Sequence, residues 1–121
     1  MNYSEKLKDH LAHPRYAGEL PDANAVAEEV NPICGDHLRL FLRIENGCLA
    51  GVGWLAYGCP PTLACASALA EMLHGNSITA AQQITRQQIA DALGGLPARK
   101  QHAAALAWET LQTAIAGTTR R

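Results

Sequence analysis

The sequence predicts an α+β domain in which helices pack on one face of a small antiparallel β-sheet. Three observations support this prediction. A short amphipathic run opens the chain, an alternating apolar segment surrounds a central Asn46-Gly47 pair, and the residues after position 62 are rich in Ala and Leu. The predicted order is therefore an N-terminal helix, then strands, then helices.

The first predicted elements are a helix and a strand. Leu7 and Leu11 lie four residues apart and share one helix face, Ser4 is suited to the N-cap, and Pro14 ends the run. Residues 25–30 then alternate in character, which is typical of a strand.

The strongest pattern predicts a β-hairpin over about His37 to Tyr57. Asn46 and Gly47 tolerate the positive φ angles that a two-residue hairpin turn requires. The apolar residues on the two sides of this turn recur at every second position: Leu38, Leu40, Leu42 and Ile44 before it, and Val52, Trp54 and Ala56 after it.

Three helices are predicted after the hairpin. The first starts at Thr62 and ends at Gly75, and the second spans about Thr85 to Leu93. The third begins at Pro97, because proline is favoured at the first helical position, and runs to about Ala116. Its predicted buried stripe consists of Ala103, Ala107, Leu111 and Ala114.

Length and charge narrow the classes of function. The 121 residues form one predicted domain, 1–121. Ten basic and eleven acidic residues give a formal charge of -1, so neither a nucleic-acid partner nor a membrane partner is expected. No apolar stretch approaches the roughly 18 residues of a membrane span, and we expect a cytoplasmic protein. Its four cysteines are then more readily packing residues, metal ligands or reactive thiols than disulfides.

Two cysteines and a carboxylate are predicted to meet at one end of the sheet. Cys34 and Asp36 lie in a loop directly before the hairpin, and Cys59 lies between the hairpin and the Ala-rich helix. Because a hairpin runs out and back, its two ends are neighbours. Cys59 also adjoins a helix start, where unpaired backbone N–H groups favour the thiolate.

A histidine completes this candidate metal site. His102 falls one turn into the last predicted helix and reaches the site if the N-terminus of that helix points to the same end of the sheet. Two thiolates, an imidazole and a carboxylate suit tetrahedral Zn²⁺, and would also hold an iron–sulfur unit less tightly than four thiolates do.

Several short motifs in this order resemble a known family. They are Tyr3-Ser4-Glu5-Lys6, His13-Pro14-Arg15, Asn31-Pro32-x-Cys34-Gly35-Asp36, Tyr57-Gly58-Cys59 and Lys100-x-His102. Together they resemble the U-type scaffold family of iron–sulfur cluster assembly, over essentially the whole chain. That family includes the housekeeping scaffold and the N-terminal domain of the nitrogen-fixation scaffold.

The resemblance implies an α+β fold and a role in cluster assembly. No enzyme is expected, since no acid–base pair or nucleophile triad is readable in the sequence. A scaffold of this kind receives iron and sulfur, the sulfur from a cysteine desulfurase, builds a [2Fe–2S] cluster and passes it to apo iron–sulfur proteins. Cys34, Asp36, Cys59 and His102 match the family's ligand positions, and the site-lining Lys100 matches a lysine at the site. The oligomeric state stays open, a homo-oligomer included.

The chain departs from the family pattern at three places. The family typically has a third cysteine after the histidine, implicated in ligation and in accepting persulfide sulfur, and here that position is Ala103. Pro60-Pro61 replaces the usual small residues after Cys59. The stretch 96–100 differs from the one that binds an Hsp70-type chaperone in housekeeping scaffolds, so that partner is not carried over.

These departures leave three functions to separate. The first is a scaffold or carrier of a transient [2Fe–2S] cluster or of iron. The second is a zinc-binding protein that regulates a desulfurase or a client without building clusters. The third is a relay that carries persulfide sulfur on Cys34 or Cys59.

The remaining cysteines and histidines are expected to lie outside the site. Cys48 follows the hairpin turn, at the end of the strands far from Cys59, and Cys65 is expected to be a small buried residue. The four other histidines are expected to be solvated or to cap helices: His10, His13, His37 and His74.

Overall fold

A three-stranded antiparallel sheet forms one layer of the molecule, in the order β1-β2-β3. The computed structural model describes residues 3–32 and 35–119. The strands are β1 (Ala25–Val30), β2 (His37–Glu45) and β3 (Cys48–Tyr57). The helices are α1 (Glu5–Ala12), α2 (Pro60–Leu73), α3 (Ile78–Gln82), α4 (Arg86–Ala92) and α5 (Gln101–Thr119), with a 3₁₀ helix at Ala98–Lys100. The predicted α+β class, with its N-terminal helix, is confirmed.

The predicted hairpin is confirmed, and it fixes which residues meet at its open end. Asn46 and Gly47 adopt φ angles of 52° and 76°, so the strands reverse over two residues. From that turn the register runs to the pairing of His37 with Tyr57, with one irregularity near Arg43. The residues just outside this last pair therefore lie beside each other at one end of the sheet.

The helices cover one face of the sheet and bury its leucines. Helix α5 packs on β1 and β2, and α2 packs on β3. The inward residues of β2 are almost fully buried: Leu38, Leu40 and Leu42. The predicted stripe of α5 is also buried, and its alanines, like those of α2, let the helices approach closely. The other face of the sheet exposes Val26, Val30, Leu55 and Tyr57.

The N-cap residue of helix α1 connects this helix to the end of helix α4. The Ser4 hydroxyl accepts a hydrogen bond from the N–H of Leu7 and donates one to the carbonyl of Leu93. Leu7 is buried, and α1 packs against α2. The predicted start of this helix is therefore confirmed, together with the burial of its apolar face.

Two helix starts differ from the prediction, and one further helix was not predicted. Helix α2 begins at Pro60 rather than Thr62, since both prolines fit the first turn, where no intrahelical N–H bond is needed. Pro97 precedes a 3₁₀ turn, and α5 proper begins at Gln101. The five-residue helix α3 was not predicted, because it is too short for a helical period to appear.

The prediction for His10 was wrong. Its side chain is buried rather than solvated, with Nδ1 2.7 Å from the hydroxyl of Ser67 on α2. This burial depends on a contact between residues far apart in the chain. In the part of the chain that the structure describes, no helix combines the length and the apolar character that crossing a membrane requires.

Candidate metal site

Asp36, Cys59 and His102 converge at the open end of the hairpin. Each contributes one ligand atom to a cluster in which all atoms lie within 4.8 Å of one another. Asp36 directly precedes β2, Cys59 is the N-cap of α2, and His102 is the second residue of α5. Strand pairing thus brings the first two residues together, and the packing of α5 on the sheet brings the third.

The Asp36 carboxylate is the centre of this cluster. It is 3% exposed, and a carboxylate so deeply buried requires hydrogen-bond donors. Its Oδ2 accepts a 2.8 Å hydrogen bond from the Thr62 hydroxyl and lies 3.0 Å from Nε2 of His102. Its Oδ1 lies 3.4 Å from the backbone N of Cys59. Asp36 therefore connects the sheet to both helices.

The orientation of His102 is set by a backbone carbonyl. Its Nδ1 lies 3.2 Å from the carbonyl oxygen of Arg99 in the 3₁₀ turn. A carbonyl can only accept, so Nδ1 carries a proton and Nε2 is the nitrogen that faces Asp36. Metal-binding histidines are commonly held by such a contact on the second ring nitrogen. The 3₁₀ turn before α5 therefore presents Nε2 to the site.

The surroundings of the Cys59 thiol differ from the expectation. Unpaired N–H groups were predicted at this helix start, but Pro60 and Pro61 have no N–H. The next two amides, those of Thr62 and Leu63, donate to the carbonyl of Cys59. The first turn therefore leaves no free amide for the sulfur. Instead, Sγ lies 3.4 Å from the Thr62 hydroxyl and 3.8 Å from Oδ2 of Asp36.

Gly58 leaves room for the carboxylate. A Cβ atom at this position would lie 2.8 Å from Cγ of Asp36 and closer still to Oδ1. Its φ of 152° is also one that residues with side chains rarely adopt. Both the limited space beside Asp36 and the backbone conformation therefore favour glycine at position 58.

The predicted site residues have different outcomes. Cys34 lies outside the described residues, so its place in the ligand set stays a prediction. Lys100 is half-buried at the end of the 3₁₀ turn, two residues before His102, and its role stays a prediction too. Ala103 is buried directly after His102. His37 lies outside the cluster and pairs instead with Glu28.

The two spare cysteines lie outside the cluster as well. Cys48 is exposed at the hairpin turn. Cys65 is fully buried in α2, and burial, with a smaller contribution from Cys59, raises the pKa of its thiol to about 12. The prediction that Cys65 is a buried packing residue is confirmed. At neutral pH it is neither a thiolate ligand nor a nucleophile.

Thr62 was missed by the sequence reasoning. It is buried, three residues into α2 from Cys59, and it contacts both Cys59 and Asp36. Its spacing from Cys59 could have indicated this contact, because a residue three positions after an N-cap lies on the same side of the helix as that cap. Arg99 acts through its carbonyl, which no side-chain pattern reveals.

The donor set determines what this site can bind. A thiolate, an imidazole and a carboxylate are together suited to Zn²⁺ and to iron, whereas Mg²⁺ and Ca²⁺ prefer oxygen donors alone. His102 and Cys59 are partly exposed beside the buried Asp36, so an ion could enter the cluster from the solvent. The cluster is therefore a partly open candidate metal site with mixed donors.

A family model and individual relatives, compared with this chain by sequence, agree with each other. The family model for the NifU-like N-terminal domain matches residues 2–121. The chain is 37% identical over 113 residues to the iron-sulfur cluster assembly scaffold protein IscU 1 of Archaeoglobus fulgidus, covering 93% of this chain and 74% of the relative. It is also 37% identical to the corresponding scaffold protein IscU of Haemophilus influenzae, over 96% of this chain and 94% of the relative.

A solved structure shows the same fold. The crystal structure of the N-terminal part of a NifU-like protein from Brucella abortus aligns with a TM-score of 0.82 and 13% sequence identity. The alignment covers 98% of this chain and 94% of that one. At this level of identity the likeness concerns the fold alone.

Proposed function

Because this chain belongs to the family of NifU-like N-terminal domains, we propose that it is an iron–sulfur cluster assembly scaffold. Its relatives named as assembly scaffolds match nearly the full length of the chain. One structural observation supports the same role. The ligand atoms of Asp36, Cys59 and His102 lie within 4.8 Å of one another at one end of the sheet.

The cargo we propose is a [2Fe–2S] cluster or its iron, held by Cys34, Asp36, Cys59 and His102. Thiolate sulfur and imidazole nitrogen are established ligands of iron–sulfur units. Compared with four thiolates, this mixed set is expected to hold the cluster less tightly, which suits a protein that must release its cargo. Lys100 and Ala103 are proposed to line the site.

The proposed partners follow from the chemistry of assembly. A cysteine desulfurase would supply the sulfur, and apo iron–sulfur proteins would receive the finished cluster. In this role the chain binds and transfers without catalysing a turnover reaction of its own. A zinc-binding regulator and a persulfide relay are not favoured, because the relatives are named as scaffolds.

Anaerobic reconstitution tests the proposal. The chain is incubated with Fe²⁺, cysteine, dithiothreitol and a cysteine desulfurase, then separated from small molecules by gel filtration. We expect visible absorption and a Mössbauer spectrum typical of a [2Fe–2S] cluster, followed by transfer of the cluster to an apo-ferredoxin. A chain that emerges without iron and sulfide under these conditions would contradict the scaffold function.

Matched variants test the ligand set. Cys59→Ser and His102→Ala are expected to lose most of the bound cluster. Cys48→Ser and His74→Ala change the same residue types at exposed positions outside the cluster and are expected to load normally. Cys34→Ser tests the cysteine that the structure does not describe, and normal loading of this variant would remove Cys34 from the set.

A further inference from the structure

Thr62 is the buried neighbour that the two site residues Asp36 and Cys59 share. Its hydroxyl lies 2.8 Å from Oδ2 of Asp36 and 3.4 Å from Sγ of Cys59, and its side chain is almost fully buried. Asp36 directly precedes the hairpin in the chain and Cys59 closely follows it, whereas Thr62 belongs to the first turn of α2. One hydroxyl therefore bridges a strand end and a helix start.

The direction of these hydrogen bonds follows from their partners. A hydroxyl has a single proton, and a carboxylate can only accept, so Thr62 gives its proton to Asp36. Its oxygen lone pairs then face the sulfur of Cys59, which can donate its S–H while it is protonated. The hydroxyl thus fixes the position of Oδ2, the atom that also lies 3.0 Å from Nε2 of His102.

The prolines of α2 make this hydroxyl more important. A helix start ordinarily supplies free N–H groups to a nearby anion. Here Pro60 and Pro61 have none, and the amides of Thr62 and Leu63 are bonded to the carbonyl of Cys59. Among these first-turn residues, the side chain of Thr62 therefore supplies the donor to Oδ2, while the N-cap amide of Cys59 donates to Oδ1.

We infer that Thr62 is a positioning residue of the metal site. Its hydroxyl holds the Asp36 carboxylate beside Cys59 and His102 before any ion arrives, so that the three ligand atoms are already close when one binds. This inference rests on the proposed function, since it concerns the same site. Losses of this kind of supporting hydrogen bond typically weaken metal binding by about 10–100-fold.

Co²⁺ is the probe, because its absorption reports both sulfur ligation and coordination geometry. The apo-protein is titrated with Co²⁺ anaerobically, and the Kd is read from the thiolate-to-cobalt charge-transfer band. Thr62→Val keeps the shape of the side chain and removes the hydroxyl. We expect it to raise the Kd by about 10–100-fold and to alter the ligand-field bands. Thr62→Ser keeps the hydroxyl and is expected to restore both.

A second buried threonine provides the matched control. Thr110 on α5 is fully buried, and its hydroxyl donates to the carbonyl of Leu106 rather than to the site. Thr110→Val therefore makes the same chemical change elsewhere, and we expect wild-type affinity and bands. If Thr62→Val does not fold, the comparison of Thr62→Ser with Thr62→Ala isolates the hydroxyl instead.

The outcomes separate this inference from the proposed function. Equal Co²⁺ affinity and equal ligand-field bands in the wild type and in Thr62→Val would overturn the role of Thr62 and leave the scaffold function intact. A wild-type chain that shows no sulfur-to-cobalt band would overturn the proposed ligand set and this inference together.

Discussion

Gly58 lies against the Asp36 carboxylate so closely that a Cβ atom on the glycine would be 2.8 Å from Cγ of the aspartate. We expect Gly58→Ala to displace Asp36 and weaken Co²⁺ binding. The same change should lower the free energy of unfolding by about 1–3 kcal/mol, because the backbone conformation is also unfavourable for alanine. Cobalt titration and urea unfolding measure the two effects.

Gly95→Ala separates backbone strain from contact with Asp36. Gly95 has a φ of 93°, but among the described residues no heavy atom beyond its two chain neighbours lies within 4 Å of a Cβ placed there. We expect this variant to lose stability without losing metal affinity. Equal Co²⁺ affinities in the two alanine variants would show that the proximity of Gly58 to Asp36 does not matter for binding.

A thiol at position 103 should strengthen cluster retention. Ala103 is buried directly after His102, at the position where the resemblance described above implies a third cysteine. In Ala103→Cys an added soft ligand is expected to lengthen the lifetime of the reconstituted cluster and to make its transfer to apo-ferredoxin slower. The decay of the cluster absorption in air gives the comparison.

The neighbouring Ala104 is the control for this substitution. It is equally buried on α5, so Ala104→Cys adds the same thiol at a different angle around the helix. Its cluster lifetime should match that of the wild type. A lifetime that increases equally in both variants would mean that the added sulfur acts by something other than ligation at the site.

His10 is expected to make folding stability depend on pH. Burial is the main cause that lowers the pKa of His10, and the nearby Arg15 lowers it further against the opposing charges of Glu71 and Asp9. Below about pH 6.5 the unfolded chain gains a proton that the folded chain does not, so stability falls as the pH is lowered. The loss ends once the pH drops below the folded-state pKa.

Urea unfolding at a series of pH values measures this effect. We expect the stability loss between about pH 7 and 5 to be smaller in His10→Gln than in the wild type. His74 is exposed at the end of α2, so His74→Gln should keep the wild-type slope. An unchanged slope in His10→Gln would show that the buried imidazole is not the source.

Cys48 and Cys65 should react with a thiol reagent at very different rates. Cys65 is fully buried with a pKa raised to about 12, so iodoacetamide should modify it only when the chain opens. Exposed Cys48 should react readily in the folded protein. Peptide mass spectrometry during a time course gives both rates, and modification of Cys65 as fast as Cys48 would contradict its burial.

Much of the fold could be predicted because its determinants are local. Alternation along β2 and β3, together with Asn46-Gly47, defines the hairpin and its register, and the hairpin alone brings the positions of Asp36 and Cys59 together. The position of His102 required an assumption about how α5 packs, which the structure supports.

The rest depends on contacts between distant residues. His10 is buried because Ser67 lies against it, 57 positions along the chain. The hydroxyl of Thr62 reaches Asp36 only once α2 packs at the end of the sheet. Helix α3 is too short to show a period of its own. The periodicity of a sequence indicates which face of a helix or strand is apolar. It does not indicate which polar atoms will contact each other in the fold.

The site joins three separate stretches of chain, at positions 36, 59 and 102. An ion or cluster bound there acts as a cross-link that closes two long loops, one through the hairpin and one through α2, α3 and α4. We therefore expect loading to stabilise the whole fold, because the bound form would exclude chain conformations in which these stretches separate. Conversely, a partner that pulls the start of α5 away from the sheet would remove one ligand and loosen the cargo in a single movement.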